Sequence, residues 1–218
     1  MLAALPENTL PFASDAEYLD AEFAVLRARS HRLAATHEEV LNRTAEDTSD
    51  AHARREVRAS SREAHLRAVD LERQEERLRA QLDARLMVHR ADAMRPKLGL
   101  DRICEEARLS KEERLVLIAA SVPGVSQRVA EQVFADVTFY GALSIADLCA
   151  LLEPQNVGDW LTVRRLFRKD APLRRDGLIV LAEPSGDAGP DTLLGLDARL
   201  SMRAWALLTG DAGIEREV

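Results

Sequence analysis

The side chains able to do chemistry in this chain are few and unevenly placed. Six basic residues, Arg164, Arg165, Arg168, Lys169, Arg174 and Arg175, fall within twelve positions, and such a cluster can hold phosphates or carboxylates. Asp170 and Asp176 interrupt it and lower its potential. Five histidines (His31, His37, His52, His65, His89) all lie before residue 90, none in HExxH or ExxH, so neither a zinc hydrolase helix nor a di-iron bundle is indicated. Cys104 and Cys149 are far apart with no CxxC, which suits small apolar fillers in a reducing compartment. No GxSxG and no recognisable Ser/His/Asp spacing is present, and Glu75 with Glu76 forms a solvated charge run. No catalytic, cofactor-binding or metal-ligating residue is assigned.

The basic cluster has competing readings. Trp160, Val163 and Phe167 read as core-facing, which would leave Arg164 and Arg168 free to face a DNA groove. The loop that follows, "EPSGDAGPD", carries Glu183, Asp187 and Asp191 with no Lys or Arg, and an acidic loop repels phosphate. The whole chain has 37 acidic against 30 basic residues, a net charge of −7, so nucleic acid is disfavoured as a partner. Carboxylates on a protein partner are the expected target, with Arg164, Arg168, Lys169, Arg174 and Arg175 as the contact residues. A DNA-binding regulator and a purely structural oligomerisation module stay open as alternatives.

The elements that must position these residues fall into two halves with different grammar. Between Phe12 and Arg95 there is neither Gly nor Pro, whereas all ten glycines lie at or after Gly99. One straight helix over that run would be about 120 Å long, so a turn inside it is expected, best placed at "RTAEDTSDA", Arg43 to Ala51. The result is a helical hairpin with helices near 14–43 and 51–95. Leu19, Leu26, Leu33 and Val40 recur every seven residues with Phe23 beside them, and Val57, Ala64, Leu71 and Leu78 share a heptad position in the second helix. His31 and His37 fall near that seam. The first helix is biased acidic and the second is Arg-rich, which suits antiparallel pairing.

From Pro96 onward the pattern becomes short helices with punctuation. "LGLDRICEEARL" gives an apolar face at Leu100, Ile103, Cys104 and Ala107. Ser110 with Glu113, and Ser144 with Asp147, have capping-box spacing, and Pro123 with Gly124 is expected to stop the first of these helices. A helix with Val129, Val133, Phe134 and Val137 facing inward lies between them, and another over "VGDWLTVRRLFRKD" follows. Pro172 is expected to break that helix and begin the turn into a strand, Gly177 to Glu183. A returning strand is expected at Thr192 to Leu196, and a last helix over "DARLSMRAWALLTG" buries Leu200, Trp205 and Leu208. Helices followed by a β-hairpin give the order of a winged helix.

Four segments in this order, "LDRICEEARLSKEERLVLIAASVPGVSQRVAEQVFADV", "LCALLEP", "LFRKDAPLRRDGLIVLAEP" and "LDARLSMRAWALLTGD", resemble the winged-helix domain found N-terminal to the ATPase module in a family of bacterial AAA+ proteins. The resemblance covers about the second half of the chain, and the N-terminal extensions of that family vary. It implies a parent enzyme that uses ATP and Mg²⁺, and it permits a place beside contractile injection systems. The sequence departs from a complete family member: no GxxxxGK[ST] and no apolar run ending in Asp-Glu occurs, so ATP hydrolysis is not expected of these residues. The chain ends at "GDAGIEREV", where the resemblance places the linker to an ATPase core, and it reads as a fragment or a stand-alone relative.

The expected fold is mainly α: an N-terminal tail (1–13), a long coiled-coil-like helical hairpin arm (14–97), a helical winged-helix domain with one small β-hairpin (98–210), and a C-terminal tail or linker (211–218). Residues "MLAALPENTLPFASD" lack a cationic segment followed by an apolar one, and no run approaches the roughly 20 apolar residues of a membrane span. A cytoplasmic protein is expected, partnered by another protein or by its own ATPase module, with homo-oligomerisation through the arm left open.

Overall fold

The computed structural model describes residues 9–45, 51–134, 142–183 and 193–210. Its first half is the expected hairpin, α1 (Asp15–Thr44) and α2 (Ala51–Ala91). Ser14 caps α1 by accepting from the Glu17 N–H at 3.2 Å, and the Glu17 carboxylate accepts in return from the Ala13 N–H at 2.7 Å. The two helices are antiparallel, because Glu17, Glu22, Glu75-bound Arg29 and Glu38 along α1 meet Arg85, Arg79, Glu75 and Arg67 in reverse order along α2. The acidic bias of one helix thus answers the basic bias of the other. Helix α2 stops at Ala91 rather than Arg95, since the Asp92 carboxylate accepts from the Met94 N–H at 3.1 Å and closes a turn.

The seam is closed by large side chains at its base and by small ones toward its tip, where Ala35, Ser61 and Ala64 are buried. Leu19, Phe23, Leu26, Ala64, Leu82 and Leu86 are buried, Leu33 and Leu78 partly so, and Val40 is 51% exposed. The base of the hairpin has a second neighbour. The base of α1 also packs against the second half of the chain, burying Tyr18, Glu22 and Val25 on another face, while toward the tip α2 is its main cover. The segment before α1 is held as well: Phe12 is fully buried, its ring lies 5.0 Å from that of Tyr18, and the Arg85 guanidinium sits 4.1 Å above it. Arm and second half therefore share one hydrophobic core.

The second half comprises α3 (Gly99–Glu106), α4 (Lys111–Val125), α5 (Gln127–Val133), β1 (Leu143–Ser144), α6 (Ile145–Leu151), α7 (Val157–Arg165), α8 (Pro172–Arg175), β2 (Ile179–Ala182), β3 (Asp197–Leu200) and α9 (Met202–Thr209). Both expected capping boxes form, Ser110 with Glu113 and Ser144 with Asp147. Helix α4 does not stop at Pro123 but runs to Val125, because a proline in the last turn forfeits only its own N–H bond while the helix ends soon after. The inward-facing Val133 and Phe134 are buried at the end of α5; Val137 lies outside the described residues.

The strands pair as a three-stranded antiparallel sheet in the order β1-β3-β2, with Ile179 opposite Leu200 and Leu143 opposite Ala198. The returning strand is Asp197–Leu200, not the apolar run before it: Leu193–Gly195 forms a 3₁₀ turn, and Thr192 lies outside the described residues. Only Asp197–Leu200 is in register with both neighbours, and Ala198 is small enough to fill the buried position there. As a consequence the last helix is shorter than expected, starting after Ser201 as N-cap, with Leu200 in the strand. Two glycines set close approaches: a Cβ on Gly99 would stand 2.3 Å from the Leu207 carbonyl oxygen, and one on Gly124 would stand 2.3 Å from the Trp205 ring.

Candidate interaction surface

Helices α6 and α7 form a helix-turn-helix pair. The turn between them contains Glu153 at φ +52°, a left-handed conformation unusual for a residue with a Cβ. Its carboxylate accepts from Arg32 Nη1 at 3.0 Å, and Arg32 Nε donates to Glu75 at 2.9 Å, so the turn is tied to both helices of the arm. Asn156 caps α7 by accepting from the Asp159 N–H at 3.0 Å, while the Asp159 carboxylate accepts from Gln155 N–H and Asn156 Nδ2. The polar residues at the start of α7 are thereby consumed within the chain.

The inner side of α7 is fixed by buried Val163 and half-buried Trp160, with Phe167 buried just beyond its end. Its outer side presents Val157 at 76% exposure and Leu161 at 52%, one helical turn apart. Arg164 and Arg165 in the last turn, then Arg168 and Lys169, are exposed and carry no ion pair or hydrogen bond from their side chains to any described residue. Arg164, Arg165, Arg168 and Lys169 are thus four exposed cations at the end of α7 and in the turn that follows it.

Arg174 and Arg175 each have a partner within the chain. Pro172 does not start the turn directly; it occupies the first position of the single-turn helix α8, where a missing N–H costs nothing. From α8, Arg174 donates to the Phe167 carbonyl at 3.2 Å, and Arg175 forks onto the Asp176 carboxylate through two bonds of 2.8 Å. That fork holds the Asp176 carboxyl below the usual carboxylate range. Arg174 is half-buried over the turn into β2, whereas Arg175 stays on the surface beside Asp176.

Glu183 is exposed at the end of β2, and Asp187 and Asp191 lie outside the described residues. His31 Nε2 lies 3.3 Å from the Gln132 carbonyl, His65 Nδ1 lies 3.2 Å from Glu39, and His37 is exposed. Buried His89 faces two carbonyls, Phe12 at 3.2 Å and Pro96 at 3.1 Å, and so pins the end of α2 to both flanking segments. Among the described residues no group of three His, Cys, Asp or Glu side chains is placed to hold a metal ion. Burial pushes the thiols of half-buried Cys104 and buried Cys149 up to about 11. Sequence reasoning passed over Val157 and Leu161, although their four-residue spacing on a helix whose inner face was already assigned marked them as outward.

A helix pair whose second member is open to solvent, followed by two antiparallel strands that pair through β3 with a short β1, defines a winged-helix protein, a class that serves nucleic-acid or protein contact. The chain belongs to the family described as winged helix domain, variant, whose model matches residues 5–218 and so takes in the hairpin as well as the helices and sheet. No curated protein and no solved structure matches it. Among the described residues no helix is long and apolar enough to cross a membrane.

Proposed function

We propose that this chain is a non-catalytic protein-interaction and assembly region of an AAA+ type ATPase, recruiting a substrate or partner protein to the ATPase ring in the cytoplasm. ATP and Mg²⁺ belong, on this reading, to the ATPase module of the parent, and an assembly linked to a contractile injection system is one setting that the resemblance carries with it. The observation that supports protein contact over base reading is the outer side of α7. A groove-reading helix presents polar donors and acceptors near its N-terminus, whereas here Val157 and Leu161 occupy the outside and Asn156 and Asp159 are engaged in the cap.

The test is affinity capture of the chain from its own cells. Retention of a protein bearing GxxxxGK[ST] by the wild type, reduced by Arg164→Glu with Arg168→Glu, supports the reading. The exposed cations Arg164, Arg165, Arg168 and Lys169 favour a second reading, a DNA-binding regulator. Duplex titration at two salt concentrations separates the two, since micromolar, salt-steep binding with no ATPase retained would establish the second in place of the first.

A further inference from the structure

We propose that the outer side of α7 and the rim that follows it receive an acidic amphipathic helix of the partner protein. This rests on the protein-contact reading above and adds the chemistry of what is bound. The surface has two zones in sequence order. Val157 and Leu161 give an apolar step one turn long, and exposed Arg164, Arg165, Arg168 and Lys169 follow it in the chain as a cationic step with no ion pair to a described residue. Helix α7 has nine residues, a length of about 13 Å, which matches two turns of a second helix laid beside it. A purely acidic, unstructured segment would leave Val157 and Leu161 in water. A purely apolar helix would bury the arginine rim without a counter-charge, which is costly.

The occupant that satisfies both zones carries an apolar pair at i and i+4 with carboxylates one turn further on the same side. Duplex DNA satisfies only the second zone, and Glu183 and Asp170, exposed on the same module, add repulsion toward phosphate. The surface stands on rigid supports. Val163, Trp160 and Phe167 anchor α7 from beneath, and the Glu153 contact with Arg32 fixes the turn before it. Partner binding would therefore not have to order α7 first, which lowers the cost of association.

The probe is a labelled synthetic peptide of about 16 residues, roughly four helical turns, with Leu at i and i+4 and Glu on the adjoining turn. It is titrated against the full chain beside one version with Leu replaced by Ser, a second with Glu replaced by Lys, and a DNA duplex of about 20 base pairs, roughly two helical turns. The expected result is that the wild-type chain binds the first peptide at least about tenfold more tightly than either altered peptide or the duplex, a difference of about 1.4 kcal/mol. Leu161→Ser should weaken that binding about tenfold, and Arg164→Glu with Arg168→Glu should weaken it comparably and flatten its salt dependence.

Arg77→Glu, an exposed reversal on α2, should leave it unchanged. All these side chains face solvent, so far-UV circular dichroism should report an intact fold. Equal binding of the altered peptides, indifference to both sets of variants, or a preference for the duplex would overturn the proposal. If the ATPase is still captured from cells while the peptide result is negative, the protein-contact reading stands and only the assignment of its surface fails.

Discussion

Arg114 on α4 reaches the carboxylate of Glu22 on α1, a side chain only 1% exposed, and the same guanidinium donates to the Tyr18 hydroxyl at 2.7 Å. Tyr18 in turn donates to Asp101 at 3.1 Å, and Arg90 closes the chain on the other Asp101 oxygen at 2.8 Å. Four helices, α1 to α4, meet in this network, a polar joint between arm and winged helix. A buried charge left without its partner is costly, whereas removing both partners is far cheaper. Arg79 also reaches the Glu22 carboxylate, at 3.4 Å, so Arg114→Ala leaves Glu22 one partner and should lower unfolding free energy by less than the roughly 3–5 kcal/mol of a fully orphaned buried charge, and Arg114→Met with Glu22→Leu should lower it by less again. Urea denaturation of the two variants checks this, and equal losses would contradict it.

The close approaches at glycine make a second comparison. Gly99→Ala places a methyl group against the backbone of α9, which cannot move alone, so a loss of about 1–3 kcal/mol is expected. Gly124→Ala meets the Trp205 side chain instead, and adding Trp205→Leu should recover part of its loss, as read from thermal melts.

Both thiols should be slow to alkylate. Burial raises each to about 11, so at pH 8 the thiolate fraction is small, and access is restricted as well. Iodoacetamide labelling followed by mass spectrometry should accelerate on the order of a hundredfold when the chain is unfolded in urea. Rapid labelling of Cys149 in the folded chain would show that its site opens readily.

Acid should loosen the N-terminal cap. The Ala13 N–H, and after it the Arg85 guanidinium, hold the Glu17 carboxyl below the usual carboxylate range. The unfolded chain therefore takes up this proton first as pH falls. The contribution of the contact is complete above about pH 4.5 and is lost as pH drops through the folded value. Glu17→Gln should flatten that part of the stability profile, measured by denaturation between pH 6 and pH 3.

Much of the fold was legible locally. The Gly- and Pro-free run dictated the hairpin, with its first helix within a residue of the expected limits, and Ser110–Glu113 and Ser144–Asp147 announced two helix starts, because each signal lies within a few residues of what it controls. The basic cluster was legible as composition but not as a surface. Nothing in the spacing of Arg174 and Arg175 reveals that the first would engage the Phe167 carbonyl and the second Asp176, while Arg164, Arg165, Arg168 and Lys169 make no ion pair with a described residue.

The sequence by itself determined the two arm helices, the starts of α4 and α6, and that charge of opposite sign lines the arm, since backbone propensity, capping and periodicity are short-range properties. Only the tertiary structure decided that α1 has a second buried face beside its heptad seam, that Asp197–Leu200 rather than the run before it is the returning strand, and that Val157 and Leu161 stay uncovered. Those outcomes depend on which distant element arrives at each surface, and a linear pattern carries no record of its neighbour until the core has closed.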